Sequence, residues 1–279
     1  MRALARVLAC MLALVSALLA GVDAKKTFPF VAGIAYSPIA VGDNPTWQLR
    51  DYYIAASQPL WYRDLGAIRQ AGANAIRIYG WNNDLDHTLF LDTVHAFDLK
   101  VLVSFFLATA KETPVDTPAQ RAAIIAGFTA QVARYGAHPA LLGWTFGNEV
   151  NAVWNGFITS LAAQNACNWT TTRWPDGCYE APMNASATCQ ASRHCAYSAL
   201  FGFFDAALAS AQASIGPAAA ARLLFTTTLA DVDRVADRID EFDDVVPHMD
   251  AWAVQARVHT RPLAFLYSIA QSRNAFFAL

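Results

Sequence analysis

The feature that most narrows the fold is an alternation along the chain: short, nearly continuous apolar runs separated by longer amphipathic ones. A short run apolar throughout suits a strand covered on both faces. An amphipathic stretch between two such runs suits a crossover helix, so the pattern predicts parallel strands joined by helices. The runs fall at 30–36, 74–79, 100–107, 140–146, 221–228 and 250–258. Helices are expected at about 59–71, 86–97, 117–135, 152–163, 197–214 and 232–242. Pro59 opens the first. Thr117-Pro118 opens the third, with proline where its missing N–H costs little. Six strands allow either an open six-stranded sheet or a barrel lacking two of its eight βα units.

The N-terminus carries a different kind of signal. Arg2 and Arg6 precede an apolar run from Val7 to Ala20, and Gly21-Val22-Asp23-Ala24 offers small residues for cleavage. This is the layout of a secretory signal peptide over residues 1–24. The apolar run is shorter than the roughly 20 residues a membrane span needs. No other segment reads as a span, so no stable membrane span is expected after cleavage. Cysteine usage fits the secretory route. Cys167, Cys178, Cys189 and Cys195 cluster within an insertion at about 164–196, and an even clustered set reads as two disulfides with three possible pairings. No C-x-x-C pair favours zinc. Two sequons lie in the same insertion, at Asn168 and Asn184, and predict glycosylation. The mature chain, 25–279, is expected in the extracellular space or cell wall.

Hydrophobic residues make up 55% of the chain, enough for a large core, and the net charge of −2 gives no electrostatic case for nucleic acid. The six histidines show no metal-ligand spacing and read as surface or capping residues. There is no phosphate loop, nucleotide fingerprint or Gly-x-Ser-x-Gly elbow, so no cofactor or metal is expected. The acidic stretch from Asp231 to Asp244 reads as a solvated helix face.

The sharpest chemical signal is Gly147-Asn148-Glu149, directly after the fourth strand. Strand C-termini form the working face of an α/β barrel, so a carboxylate there addresses substrate. Glycosidic bond cleavage needs one carboxylic acid to protonate the leaving oxygen and a second carboxylate as nucleophile or base. Arg77 lies inside the apolar strand NAIRIY, and a desolvated guanidinium needs an anionic or multi-acceptor partner. Tyr36, Tyr79, Trp81 and Asn82 cluster at strand C-terminal ends. Aromatic faces stack on sugar rings and amides bond hydroxyls.

Several of these segments together resemble clan A glycoside hydrolases. They are Ala73-Asn-Ala-Ile-Arg-Ile-Tyr79, Val132-Ala-Arg-Tyr135, His138-Pro139 and Gly143-Trp-Thr-Phe-Gly-Asn-Glu149. Within the clan the chain is most similar to the β-1,3-glucanosyltransferases and β-glucanases of family 72 and its relatives. The Gly33-Ile-Ala-Tyr36-Ser-Pro38 segment, Arg77-Ile-Tyr79 and Thr226-Thr-Thr228 match that pattern. The resemblance spans about residues 30–255. It implies an α/β fold, a (β/α)8 barrel with about six of its eight units present. It also implies a polysaccharide or oligosaccharide substrate and a retaining mechanism.

Carried over, the resemblance makes Glu149 the acid/base. Asn148 would bond a sugar hydroxyl, Arg77 would hold the nucleophile ionised, and Tyr36 would line the subsite below the sugar plane. The family's nucleophile is a glutamate ending the seventh strand. Here no glutamate follows Glu241, which lies on the helix expected before the sixth strand. The tail at about 257–279 matches nothing in the family. Two readings therefore stand: a retaining glycosidase or transglycosylase, or a chain without the strand-seven nucleophile. The latter would be a carbohydrate-binding pseudoenzyme or a truncated gene product.

Overall fold

A computed structural model describes residues 31–39, 42, 51–107, 113–151, 157–167, 187–230 and 235–255. The signal-peptide reading, both sequons, Cys178 and the tail fall outside these residues. The elements in chain order begin with β1 (Gly33–Tyr36), α1 (Gln58–Gln70), β2 (Ala75–Ile78), α2 (Thr88–Ala96), β3 (Lys100–Phe105) and α3 (Pro118–Tyr135). They continue with β4 (Leu141–Asn148), α4 (Phe157–Gln164), α5 (Ala187–Arg222), β5 (Leu224–Ala230), a 3-10 stretch (Val235–Val245) and β6 (Ala251–Gln255). Every strand pairs in parallel with its predecessor, giving the order β1-β2-β3-β4-β5-β6. This is the winding of a (β/α)8 barrel with six of eight strands in place, a curled half-barrel and not a flat open sheet.

Strand periodicity sorts the side chains into two layers. One face carries Ile76, Ile78, Val101, Val103, Phe105, Trp144, Phe146, Phe225 and Trp252, all within one large buried cluster with the helices. Phe146 sits among Phe105, Phe128, Phe203 and Phe204, with ring centroids 5.0–5.8 Å apart. The opposite, concave face has a small apolar floor of Ala75, Leu102, Leu142, Leu224 and Ala251. Above that floor, toward the strand C-termini, the buried residues turn polar: Arg77, Ser104, Thr145, Thr226 and Thr228. Burying several polar groups in one layer is costly unless they bond one another. That layer is where the chemistry is concentrated.

The elements begin and end for identifiable reasons. At the start of α3, Thr117 and Gln120 form a reciprocal capping box: Gln120 N–H donates to Thr117 Oγ1 (3.2 Å) and Thr117 N–H to Gln120 Oε1 (2.9 Å). Helix α5 begins some ten residues before the position expected from the sequence. It carries Cys195, whose sulfur is bonded to Cys167 at the end of α4. Cys189 is disulfide-bonded as well. The segment expected as a helix at 232–242 is instead a 3-10 stretch, in which Asp243 accepts from Trp252 Nε1 at 2.9 Å.

The sequence reading expects no second span-like segment, yet one 18-residue window within α5 is apolar enough by composition alone to match a span, as core helices also are. Tyr197, Leu200, Phe201, Phe204, Leu208 and Ala211 place one face of that helix in the protein core.

At Gly143, β4 and β5 approach too closely to admit a side chain. A Cβ built there would lie 2.0 Å from the carbonyl oxygen of Leu224. That neighbour is backbone and cannot rotate away. Gly143→Ala is therefore expected to lower stability by about 2–3 kcal/mol, as overpacking in a core does. Urea unfolding followed by far-UV circular dichroism checks it, and an unchanged midpoint would show that β4 and β5 separate more easily than their pairing implies.

Candidate active site

The cluster at the C-terminal rim forms where β2, β3, β4 and β5 end side by side. Arg77 and Ser104 follow the period-two alternation of their strands. Their register partners on the concave side are Ala35 for Arg77, and Thr145 for Ser104. Ordinary alternation would send Asn148 and Glu149 to opposite faces. The pairing of β4 with β5 shifts between Thr145 and Asn148, and such irregularities re-aim side chains. Gly147 (φ +74°) and Glu149 (φ +52°) both lie in the left-handed region. Glycine occupies it freely, whereas for glutamate it costs on the order of 1 kcal/mol or more. The Glu149 N–H donates to Thr228 O at 2.8 Å and holds the turn in place. This bent exit from β4 presents Asn148 to Arg77 and leaves Glu149 within electrostatic reach of the guanidinium.

Arg77 is the centre of the cluster and is 2% exposed. Its NH2 donates to Asn148 Oδ1 at 2.6 Å, and its Nε donates to Ser104 Oγ at 3.3 Å. The guanidinium carbon lies 4.7 Å from the centroid of the Tyr79 ring, a cation–π contact. Burial pushes the Arg77 pKa down from its usual range, while its interactions with Tyr79 and Glu149 oppose that shift. A guanidinium this far from water stays charged because the surrounding acceptors replace its hydration. The arrangement thus holds a fixed positive charge beside an amide and a half-buried carboxylate at the mouth of the barrel.

The structure brings Arg77, Tyr79, Asn148 and Glu149 together. Three other expected site residues are placed elsewhere. Tyr36 pairs in register with Ile78 and so faces the helices; its hydroxyl donates to Asp64 Oδ2 on α1 at 3.0 Å. It therefore cannot line a subsite on the concave face. Trp81 is 5% exposed and stacked on His87 at 3.6 Å, and its Nε1–H donates to Gln131 Oε1 at 3.0 Å. Its ring faces are taken up by the core and do not offer a sugar platform. Asn82 is exposed on the rim, but its Oδ1 accepts from Asp84 N–H at 3.0 Å and closes its own loop.

Sequence reasoning missed Ser104, whose one signal is being the lone hydroxyl in the run KVLVSFFL. It also placed His87 among surface or capping residues; the residue does take the N-cap position of α2, but its ring is fully buried and makes no capping hydrogen bond. Among the described residues, no cluster of histidine, cysteine, aspartate or glutamate could hold a metal ion.

Six sequential parallel strands with a carboxylate-bearing C-terminal rim define an incomplete (β/α)8 barrel. Among solved structures, the fold is similar to Gas2 of Saccharomyces cerevisiae. In a complex with a small-molecule compound the TM-score is 0.56 at 15% identity, covering 92% of this chain and 50% of that one. In a complex of Gas2 with laminaritriose and laminaritetraose the TM-score is 0.54 at 16% identity, covering 90% and 47%. A glutamate-to-glutamine mutant of Gas2 bound to laminaritetraose and laminaripentaose gives 0.54 at 15% identity, covering 88% and 46%. The chain spans about half the length of the solved structures it matches. No protein-family model and no curated protein sequence matches it.

Proposed function

We propose that this chain carries the acid/base half of a retaining active site for β-linked glucan, with Glu149 as the proton-transferring group. The observation behind this reading is the 2.6 Å bond between Arg77 and Asn148, which sets the amide next to Glu149 at the barrel mouth. Asn148 would bond a hydroxyl beside the scissile bond through its amide N–H groups. Glu149 would protonate the departing glycosidic oxygen and then deprotonate the incoming hydroxyl. If water resolves the glycosyl group the outcome is hydrolysis; if a sugar hydroxyl does, it is transfer. Arg77 and Tyr79 would shape the floor on which the sugar sits. The laminari-oligosaccharides bound by Gas2 suggest β-1,3-linked glucose as the first substrate class to test. Secretion to the extracellular space or cell wall fits the N-terminal pattern and the Cys167–Cys195 disulfide.

A second reading rests on a specific observation. The sequence has no glutamate after Glu241 and no aspartate after Asp250, and Asp250 is engaged with the Phe225 N–H at the opposite end of β5. A chain with an acid/base and no nucleophile would bind glucan without cleaving it. Incubation with β-1,3-, β-1,4- and mixed-linked glucan oligosaccharides, followed by chromatography and calorimetry, separates the readings. Product formation from one linkage class supports the enzyme, and binding without product supports the lectin-like reading. Neither binding nor product from any glucan would overturn both.

A further inference from the structure

Asp51 lies in the connection before α1, remote in sequence from every rim residue, yet its side chain is only 5% exposed. Both of its oxygens are occupied. Oδ1 accepts from Tyr53 N–H at 2.9 Å. Oδ2 accepts from Asn82 N–H at 2.7 Å and lies 2.7 Å from His87 Nε2. A buried carboxylate is costly unless donors surround it, so this set of bonds fixes where the three partners can be. His87 is itself held on several sides. Its ring stacks on Trp81 at 3.6 Å, and its N–H donates to the Tyr135 hydroxyl at 3.2 Å. Asp51 thus grips the loop after β2 at two points, Asn82 and His87.

A third connection leads to the site. Tyr53 is 1% exposed, and its hydroxyl donates to Tyr36 O at 2.9 Å; Tyr36 pairs in register with Ile78, the residue before Tyr79. The Tyr79 ring is the one lying 4.7 Å from the Arg77 guanidinium. A path therefore runs from Asp51 through Tyr53 to Tyr36, across the β1–β2 pairing to Ile78 and Tyr79, and on to Arg77 and Asn148. A second path reaches the same loop through Asn82.

We propose that Asp51 is a positioning residue that sets the pose of Tyr79 over Arg77 through Tyr53, Asn82 and His87, and thereby shapes the glucan-binding rim. Its meaning for sugar binding rests on the carbohydrate reading above; its hold on Tyr79 does not. Groups that orient direct ligands of a site commonly cost about 10–100-fold in function when altered.

The test uses Asp51→Asn and Tyr53→Phe in the full chain. Native-state amide exchange is read at Tyr79 and Asn82, with a β-1,3-glucan pentasaccharide as the binding probe. For Asp51→Asn, both amides are expected to exchange about tenfold faster or more, with α3 amides unchanged and pentasaccharide affinity down about tenfold. For Tyr53→Phe, Tyr79 is expected to speed up while Asn82 stays protected. Unchanged Tyr79 exchange in both variants overturns the proposal, as does full affinity retained once Tyr79 is released. Loss of protection throughout α3 in Asp51→Asn would mean global unfolding, and Tyr53→Phe then decides. If the unaltered chain binds no glucan, the carbohydrate reading fails, and Tyr79 exchange still decides whether Asp51 positions it.

Discussion

Glu149→Gln is expected to slow glycosyl transfer by about 10²–10⁴-fold while leaving oligosaccharide affinity nearly unchanged. Glutamine matches glutamate in shape, but it cannot exchange a proton. The expected loss therefore falls on the chemical step and spares binding. An α-glucosyl fluoride donor isolates the role of Glu149 because it stands in for a glycosyl-enzyme and so bypasses the step that forms one. An acceptor hydroxyl oxygen forms the new bond to C1, the C–F bond breaks, fluoride leaves, and the hydroxyl proton passes to the Glu149 carboxylate. Condensation by the unaltered chain, monitored by fluoride release and product chromatography, should nearly vanish in the variant. An equal rate in both proteins would remove Glu149 from the chemistry. Loss of binding alone would make it a contact residue.

Arg77→Met is expected to lower stability by about 3 kcal/mol, the upper end of the cost of leaving buried polar partners unsatisfied. Methionine fills much of the same volume, so little of the effect would come from a cavity. The larger contribution is what remains behind. Asn148 Oδ1 loses its 2.6 Å donor, Ser104 Oγ its 3.3 Å donor, and Glu149 the positive charge beside it. Unpaired polar groups in a dry layer cost more than the bonds they had formed. Arg77→Lys should recover only part of the loss, because an ammonium cannot reach Ser104 and Asn148 in the fork that the guanidinium spans. Guanidinium chloride unfolding of the three proteins gives the ranking. A methionine variant as stable as the parent would show that Arg77 is tolerated in the structure and does not hold it together.

Strand order and type were legible because burial on both faces leaves a dense apolar signature. NAIRIY, KVLVSFFL and ALLGWTF all lie over strands that the structure contains. Arg77 and Glu149 were legible for the opposite reason, since each is a charge set against an apolar background at a strand end. Tyr36 was misread although its strand was found. The motif Gly-x-x-Tyr says nothing of phase, and only the register with β2 shows that Ala35, not Tyr36, shares a face with Arg77.

Trp81 sits in a loop, where no periodicity reports direction, and its partners His87, Gln131 and Tyr135 come from three separate segments. Asp51 and Ser104 left almost no trace. One is an aspartate in a polar connection, and the other a small hydroxyl in an apolar run; in both cases the function comes from long-range contacts. The early start of α5 was hidden because cysteine and sequon signals dominated that stretch. Composition alone did not reveal that Cys195 belongs to a helix.

The strand order also bears on how the molecule assembles during synthesis. Each strand docks beside the one made just before it, so growth from the N-terminal side never waits on sequence still inside the ribosome. The exception in scale is the step from β4 to β5, whose ends at Asn148 and Leu224 are separated by the longest connection between neighbouring strands. Closing a long loop carries an entropic cost that grows with its length. The bond between Cys167 and Cys195 lies inside that connection and shortens it. An oxidising compartment would therefore speed the docking of the second half onto the first, and a reducing one would leave two partly built halves exposed to each other's edges for longer.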